Sequence, residues 1–260
     1  MVESQQEQTV RSPSAQDRYV FAGRLHPERY GWPGARVETD FTFHDQPLHL
    51  TLSISWAQLA IDVVGSYSGP LLDLKNVLLN YAQNVVDAFG FVAAAGLDIE
   101  IMSCVDPAGE LYIFNTAFDG LRDTGDISED EMSMFRTLAQ VGGLDFGVRA
   151  DLADVRQAIR SPLDTLFYCY RAIESIRQQY LPAYASVDDQ AARKSSWAAM
   201  RAAASVEESE TRWLAALATP RRHGSVSETT EDDRRRALQP ARKVVLSYAL
   251  NWSPPAEPQT

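Results

Sequence analysis

The chain has 260 residues, with 24 Lys+Arg against 35 Asp+Glu for a net charge of −11, and 45% of its residues are apolar. That is enough chain for one large domain or two ordinary ones. With only 14 glycines and 13 prolines it is neither collagen-like nor wholly disordered.

Residues 1–16 are rich in Gln, Ser and Glu and are expected to be a disordered leader. They show no basic region followed by an apolar stretch, so no secretory signal is read and a cytoplasmic product is expected. An α+β domain is expected over residues 17–125. From Tyr19 the apolar residues fall at period two. Val37, Thr39, Phe41 and Phe43 alternate with polar residues, and so do Leu48, Leu50, Leu52, Ile54 and Trp56 after a polar turn at Asp45-Gln-Pro47. The parity then slips to Leu59, Ile61 and Val63, which requires a turn or bulge near Ala57-Gln58. An antiparallel meander with one wet face fits this pattern.

After Gly65-Ser-Tyr-Ser-Gly-Pro70 the period becomes helical, with Leu71, Leu74, Leu78, Tyr81, Val85, Phe89 and Val92 three or four apart. The spacing predicts one long helix ending near Gly96. Between Asn76 and Leu97 only Asp87 is charged, but Asn76, Asn80, Gln83 and Asn84 would need partners in lipid, so the helix belongs to a core and not to a membrane. Leu97–Val105 and Glu110–Phe118 flank the turn Asp106-Pro-Ala-Gly109 and form a hairpin.

From Ser128 onward the chain reads as helical, an antiparallel bundle over residues 126–252 followed by a disordered tail at 253–260. Ser128/Glu131, Ser161/Asp164, Ser205/Glu208 and Thr230/Asp233 have the spacing of capping boxes. Leu166, Phe167, Tyr170, Ile173 and Ile176 stripe one helix. Trp197 and Met200 anchor a second, Trp213 and Leu214 a third, and Leu238, Val244 and Tyr248 a fourth. The fold class is therefore α+β, an N-terminal antiparallel sheet covered by a long helix and then a helical bundle. Charge divides the same way: residues 1–160 carry 11 Lys+Arg and 23 Asp+Glu, residues 161–260 carry 13 and 12.

Several chemistries drop out. Gly65-Ser-Tyr67-Ser-Gly69 places Tyr where a nucleophile elbow needs Ser. No Walker loop and no GxGxxG is present, and nothing calls for a cofactor. An EF-hand loop from Asp123 would need Gly at Ser128 and Glu at Met134. Cys104 and Cys169 sit in apolar surroundings without a CxxC spacing, as reduced core thiols do. A four-residue loop over Asp45–Leu48 would make His44 and His49 cross-strand neighbours, with Asp45 beside them, as a weak metal candidate lacking a fourth ligand.

The most distinctive polar cluster is Arg221-Arg222-His223-Gly224, which joins two helices just upstream of Arg234-Arg235-Arg236. Residues 221–243 hold seven Lys+Arg against four Asp+Glu. Arg221, Arg222 and Arg235 are candidates for an anion or RNA contact, with His223 and Arg222 as the catalytic alternative. The competing reading is that these arginines bond helix C-terminal carbonyls and pair with Glu228 to Asp233.

Phe167-Tyr-Cys-Tyr-Arg171-Ala-Ile-Glu174-Ser-Ile, then Trp197, then Arg221-Arg-His223-Gly224 resembles the HEPN-like helical domains at the C-termini of uncharacterised bacterial proteins, including the ApeA type, over residues 161–250. Nuclease members of that family carry an R-x4–6-H arrangement that meets its symmetry mate at a dimer interface. Here no Arg stands at that spacing before His223, and only His223 matches. The resemblance therefore implies a non-catalytic binding and dimerisation module of the kind found in bacterial defence and toxin–antitoxin systems. The expectation is a protein that self-associates as a homodimer through its C-terminal helices or binds a protein partner. An RNA binder or metal-independent ribonuclease using His223 is the alternative, with any RNA affinity weak.

Overall fold

A computed structural model describes residues 17–28, 34–114, 128–182, 189–224 and 229–253, and the chain divides into two compact units between Phe114 and Asn115. The expected leader (1–16), the end of the second hairpin (115–118) and most of the tail (254–260) lie outside the described residues, as does the expected domain boundary at 125/126.

The first unit is the α+β fold that the alternating pattern requires. Strands β1 (Arg18–His26), β2 (Ala35–Phe43), β3 (Gln46–Ser55) and β4 (Gln58–Val64) precede helix α1 (Leu71–Ala93), and β5 (Asp98–Val105) and β6 (Leu111–Ile113) follow it. They form one antiparallel sheet in the order β2-β3-β4-β1-β5-β6. Its inner face is Phe21, Leu25, Leu50, Leu52, Ile61, Val63 and Ile101, in one core with Leu74, Leu78, Ala82 and Val86 of α1. The helix thus buries an i, i+4 row. Tyr81 and Val92, expected on that stripe, are exposed.

Turns set the register. β2 and β3 join through His44-Asp45, both in the left-handed region at φ 49° and 61°, so the turn is two residues long and Gln46-Pro47 belong to β3. That is a tighter loop than the Asp45-Gln-Pro47 turn expected from composition, because two αL residues match the twist of paired strands. The parity slip falls at Trp56-Ala57, between paired Ser55 and Gln58. Trp56 is therefore a turn residue (φ 53°, 72% exposed) and not the end of the inward row. A second slip in β5 arises where the pairing with β1 shifts between Ala22 and Gly23, so that Ile99, Ile101 and Cys104 all face inward. A Cβ at Gly23 would lie 2.0 Å from the Glu100 carbonyl oxygen, so the bulge admits only glycine there. Helix α1 ends at Ala94, not Gly96: Ala94 is left-handed, and Ala95 donates its N–H to the Gly90 carbonyl (2.9 Å).

The second unit holds helices α2 (Glu129–Leu144), α3 (Phe146–Arg160), α4 (Thr165–Gln178), α5 (Gln190–Ala204), α6 (Glu208–Arg222) and α7 (Glu231–Leu250). The boxes at Ser128/Glu131 and Thr230/Asp233 are formed. The other two starts are displaced. Ser161 ends α3, with Asp164 as the N-cap of α4, while Ser205 is the left-handed end of α5 and Glu207/Glu210 make the box of α6. The break between α2 and α3, which apolar spacing does not mark, is made by Asp145. Its carboxylate accepts the Val148 N–H (3.1 Å) and the Trp252 indole N–H (2.8 Å). The bundle core centres on Ile173, Ile176, Met200, Leu214, Leu238 and Val244. Cys104 and Cys169 are both buried and free, and burial pushes both thiols up, that of Cys104 to about 12. No helix among the described residues is long and apolar enough to cross a membrane.

Leu52 is 2% exposed and pairs with Val37 of β2 and Ile61 of β4. Leu52→Asp would bury a carboxylate without a partner and is expected to cost more than about 4 kcal/mol, unfolding the first unit. Circular dichroism melting checks this, and an unchanged transition would show the inward parity of β3 to be wrong.

Candidate functional site

The metal candidate does not assemble. The two-residue turn pairs His49 with Asp40 across the strands, and His49 Nδ1 donates to Asp40 Oδ1 (2.7 Å). His44 lies in the turn itself, stacked on Phe43 at 4.1 Å, with Asp45 exposed beside it. His44 and His49 are therefore not cross-strand neighbours, because the loop that would align them is shorter by two residues. Among the described residues no group of three His, Cys, Asp or Glu is placed to hold a metal ion. Tyr67, in the near-miss elbow, is a packing residue: its hydroxyl donates to the Pro70 carbonyl (3.1 Å), and burial pushes it up to about 12.

The basic segment is mostly engaged within the bundle. Arg221 Nε donates to Asp164 Oδ1 at 2.9 Å, Arg222 to Glu174 at 3.3 Å and Arg235 to Asp232 at 2.7 Å. Arg234 is buried, with bonds to Thr165 Oγ1 (2.9 Å), the Ile159 carbonyl (2.7 Å) and Glu231 (2.8 Å), and Arg236 sits 4.1 Å from the centre of the Trp213 ring. A helix C-terminal carbonyl and the Glu231–Asp233 turn thus take part, as the competing reading expects; Glu228 lies outside the described residues. The partners of Arg221 and Arg222 come instead from α4, about 50 residues away in sequence. His223 caps α6, exposed, its backbone N–H donating to the Pro220 carbonyl (3.0 Å). Arg221, Arg222 and Arg235 each therefore have a carboxylate partner within the bundle.

Two features of the helical unit were not among the expected site residues. The first surrounds Tyr170 and Trp197, whose rings stack at 6.3 Å and 17°. Arg177 lies 5.6 Å from the Trp197 ring centre and donates to Ser196 Oγ (3.3 Å). Burial pushes the Tyr170 hydroxyl up; Glu174 adds to the rise, and Arg222, Arg177 and Arg193 oppose it. Arg177 is only 2% exposed, and its Nε has no hydrogen-bond partner; burial holds its guanidinium below the usual range. The second is a cleft of about 690 Å³ among α2, α3 and α7. Met134, Phe135, Leu138, Leu152, Val155, Val245 and Leu246 give it apolar walls, joined by Glu131 from α2 and by Gln239, Arg242 and Lys243 from α7. Phe135 is 59% exposed.

Asp151 of α3 is buried, with one oxygen unpartnered. Burial first, then the Asp154 and Asp145 charges, raises its carboxyl to about 7, against a hydrogen bond from Ser175 and the more distant Arg171 charge. The folded state therefore keeps a proton that the unfolded chain releases near pH 4. Stability is expected to fall as pH rises from that range to about 7, at up to roughly 1.4 kcal/mol per unit, and to be level above it. Asp151→Asn removes the charged form, so its melting temperature should decline much less than the wild type's between about pH 5 and pH 8. Parallel pH profiles for the two proteins would refute this account of Asp151.

Comparison with known families matches both units in order. Residues 19–114 match the N-terminal domain, and residues 132–252 the C-terminal domain, of a family described as domain of unknown function DUF8168. No curated protein and no solved structure matches the chain.

Proposed function

We propose that this chain, a member of the DUF8168 family through both of its domains, is a non-catalytic module that acts by self-association through its C-terminal helices. The observation that carries the reading is the α2–α3–α7 cleft, because it is complementary to itself. It offers an apolar hollow and, on its own lining, an exposed ring to fill one, Phe135. Its rim also carries charge of both signs, Glu131 of α2, which closes the Ser128 capping box, and Arg242 and Lys243 of α7. A two-fold contact needs one surface patch to supply both halves of each pair, and an apolar hollow with an exposed ring on its own lining supports that reading. The HEPN-like resemblance supports the same reading, since non-catalytic members of that family are binding and dimerisation modules.

The nuclease alternative has less behind it. Arg221, Arg222 and Arg235 each have an internal carboxylate partner, and His223 stands at an exposed helix end without an Arg at the family's spacing. A lone general acid or base supplies only part of a nuclease's acceleration, about 10²- to 10⁴-fold. No RNA cleavage that depends on His223 is expected. Incubating total RNA with the wild type and with His223→Ala checks this, and cleavage lost in the variant would promote the nuclease reading.

Assembly is tested by light scattering at micromolar concentration. The expected mass is twice the 28.9 kDa of one chain, and Phe135→Asp is expected to return the monomer with its circular dichroism unchanged. A wild type that is monomeric throughout, or a dimer indifferent to Phe135→Asp, would overturn the proposal. A monomer whose cleft takes up a small apolar dye would reassign it to a small-molecule ligand.

A further inference from the structure

The α2–α3–α7 cleft, at about 690 Å³, is much larger than the single Phe135 ring that a second copy would place in it. Its size is that of a cleft enclosing a small ligand, about 300–1000 Å³. The hollow exists because α2 is seated on the bundle only near its end: Val141 and Gly142 are its buried residues, while Met134 and Leu138 stay half-buried. Leu152 and Val155 of α3 and Leu246 of α7, on the other walls, are half-buried as well. Apolar surface gathered in one hollow stays unfavourably wet until something covers it.

The polar groups of the rim are not equivalent. The Glu131 carboxylate is turned to its own helix start, where it accepts the Ser128 backbone N–H at 2.8 Å. Gln239 and Lys243 are exposed on α7, four residues apart and so on one face of the helix, with Arg242 beside them. Among the described residues neither the Gln239 amide nor the Lys243 ammonium has a hydrogen-bond or ion-pair partner. One edge of the hollow therefore offers N–H donors and a positive charge with no protein acceptor. Apolar walls with such an edge are complementary to a ligand that has a hydrocarbon body and an anionic end.

We propose that the cleft binds a single aliphatic chain ending in a carboxylate, and that this ligand displaces a second copy of the protein from the same surface. The chain lies among Met134, Leu138, Leu152 and Val155, and the carboxylate meets Lys243 and Gln239. One free ammonium balances one negative charge, which a carboxylate supplies. The ligand fills the hollow that the Phe135 ring of a second copy would enter, so the two occupants exclude one another and bound ligand favours the monomer by mass action. The displacement rests on self-association through the cleft, whereas the binding does not.

Calorimetric titration of the full-length protein with octanoate and with decanoate, below micelle formation, reads the binding, and light scattering on the same samples reads the assembly. One saturable site per chain is expected. Affinity should rise about fourfold for each CH₂ buried, so that decanoate binds roughly fifteenfold more tightly than octanoate. Decyltrimethylammonium, with the same chain length and the opposite charge, should not saturate the site. Lys243→Ala, at an exposed position, should weaken decanoate about tenfold with circular dichroism unchanged. As decanoate saturates, the scattering mass should fall from that of the dimer to that of the monomer. Equal affinity for the two chain lengths, equal binding of the cationic amphiphile, or indifference to Lys243→Ala would overturn the ligand. A dimer that takes up no decanoate would also overturn it and leave self-association standing. Decanoate binding to a chain already monomeric without it would overturn the displacement together with the self-association.

Discussion

The helical unit depends on how it satisfies guanidinium groups taken out of water. Arg234, 4% exposed, is the clearest case: its three nitrogens reach Thr165 at the start of α4, Ile159 at the end of α3 and Glu231 in its own first turn. One side chain thereby caps an otherwise orphaned carbonyl of α3, fixes the α3–α4 corner and anchors α7 to it. Thr165 completes the knot by donating to the Ala158 carbonyl at 2.8 Å. Breaking one partner would leave the others as buried unmatched polar groups, each costly, so the corner holds together as a unit.

The same demand explains the arginines nearer the surface. Arg171 pairs with Asp154 of α3, Arg221 with Asp164 at the α4 start, and Arg222 with Glu174 one helix face further along. α4 is thus bordered by ion pairs on the sides where α3 and α6 meet it. Individually, half-exposed pairs of this kind contribute little to stability. Their effect here is on which neighbour each helix accepts, because a shifted α6 would set Arg221 and Arg222 away from their carboxylates.

Much of the first unit was legible because period two leaves few options once one face is apolar. Leu50, Leu52, Ile61 and Val63 face inward as their alternation requires. What composition did not show was turn length. Asp, Gln and Pro at 45–47 carry turn character, but the turn uses His44 and Asp45, and that two-residue difference dissolves the His44/His49 juxtaposition. Caps were half legible for a related reason. Ser161/Asp164 and Ser205/Glu208 have the right spacing, yet each serine closes the preceding helix, and spacing alone does not distinguish an N-cap from a residue that ends the helix before it.

The candidate sites were harder to read because their members are distant in sequence. Arg221 and Arg222 stood out as a local run, but their partners Asp164 and Glu174 lie on another helix, and no local pattern predicts that pairing. Arg177 was hidden among the polar residues that follow an apolar stripe, where an arginine ordinarily snorkels to water. The available signal was its place on the helix: Ile173, Ile176 and Arg177 fall on one inward face, so a charge at 177 had to be buried. Asp151 follows the same rule, three residues after Val148 and seven before Ala158 on the buried side of α3. A charged residue that coincides with the apolar phase of its own helix is therefore more informative here than a run of charges. The run at 221–236 is largely absorbed by the bundle, whereas Arg177 and Asp151 each keep a buried atom that the bundle leaves without a partner.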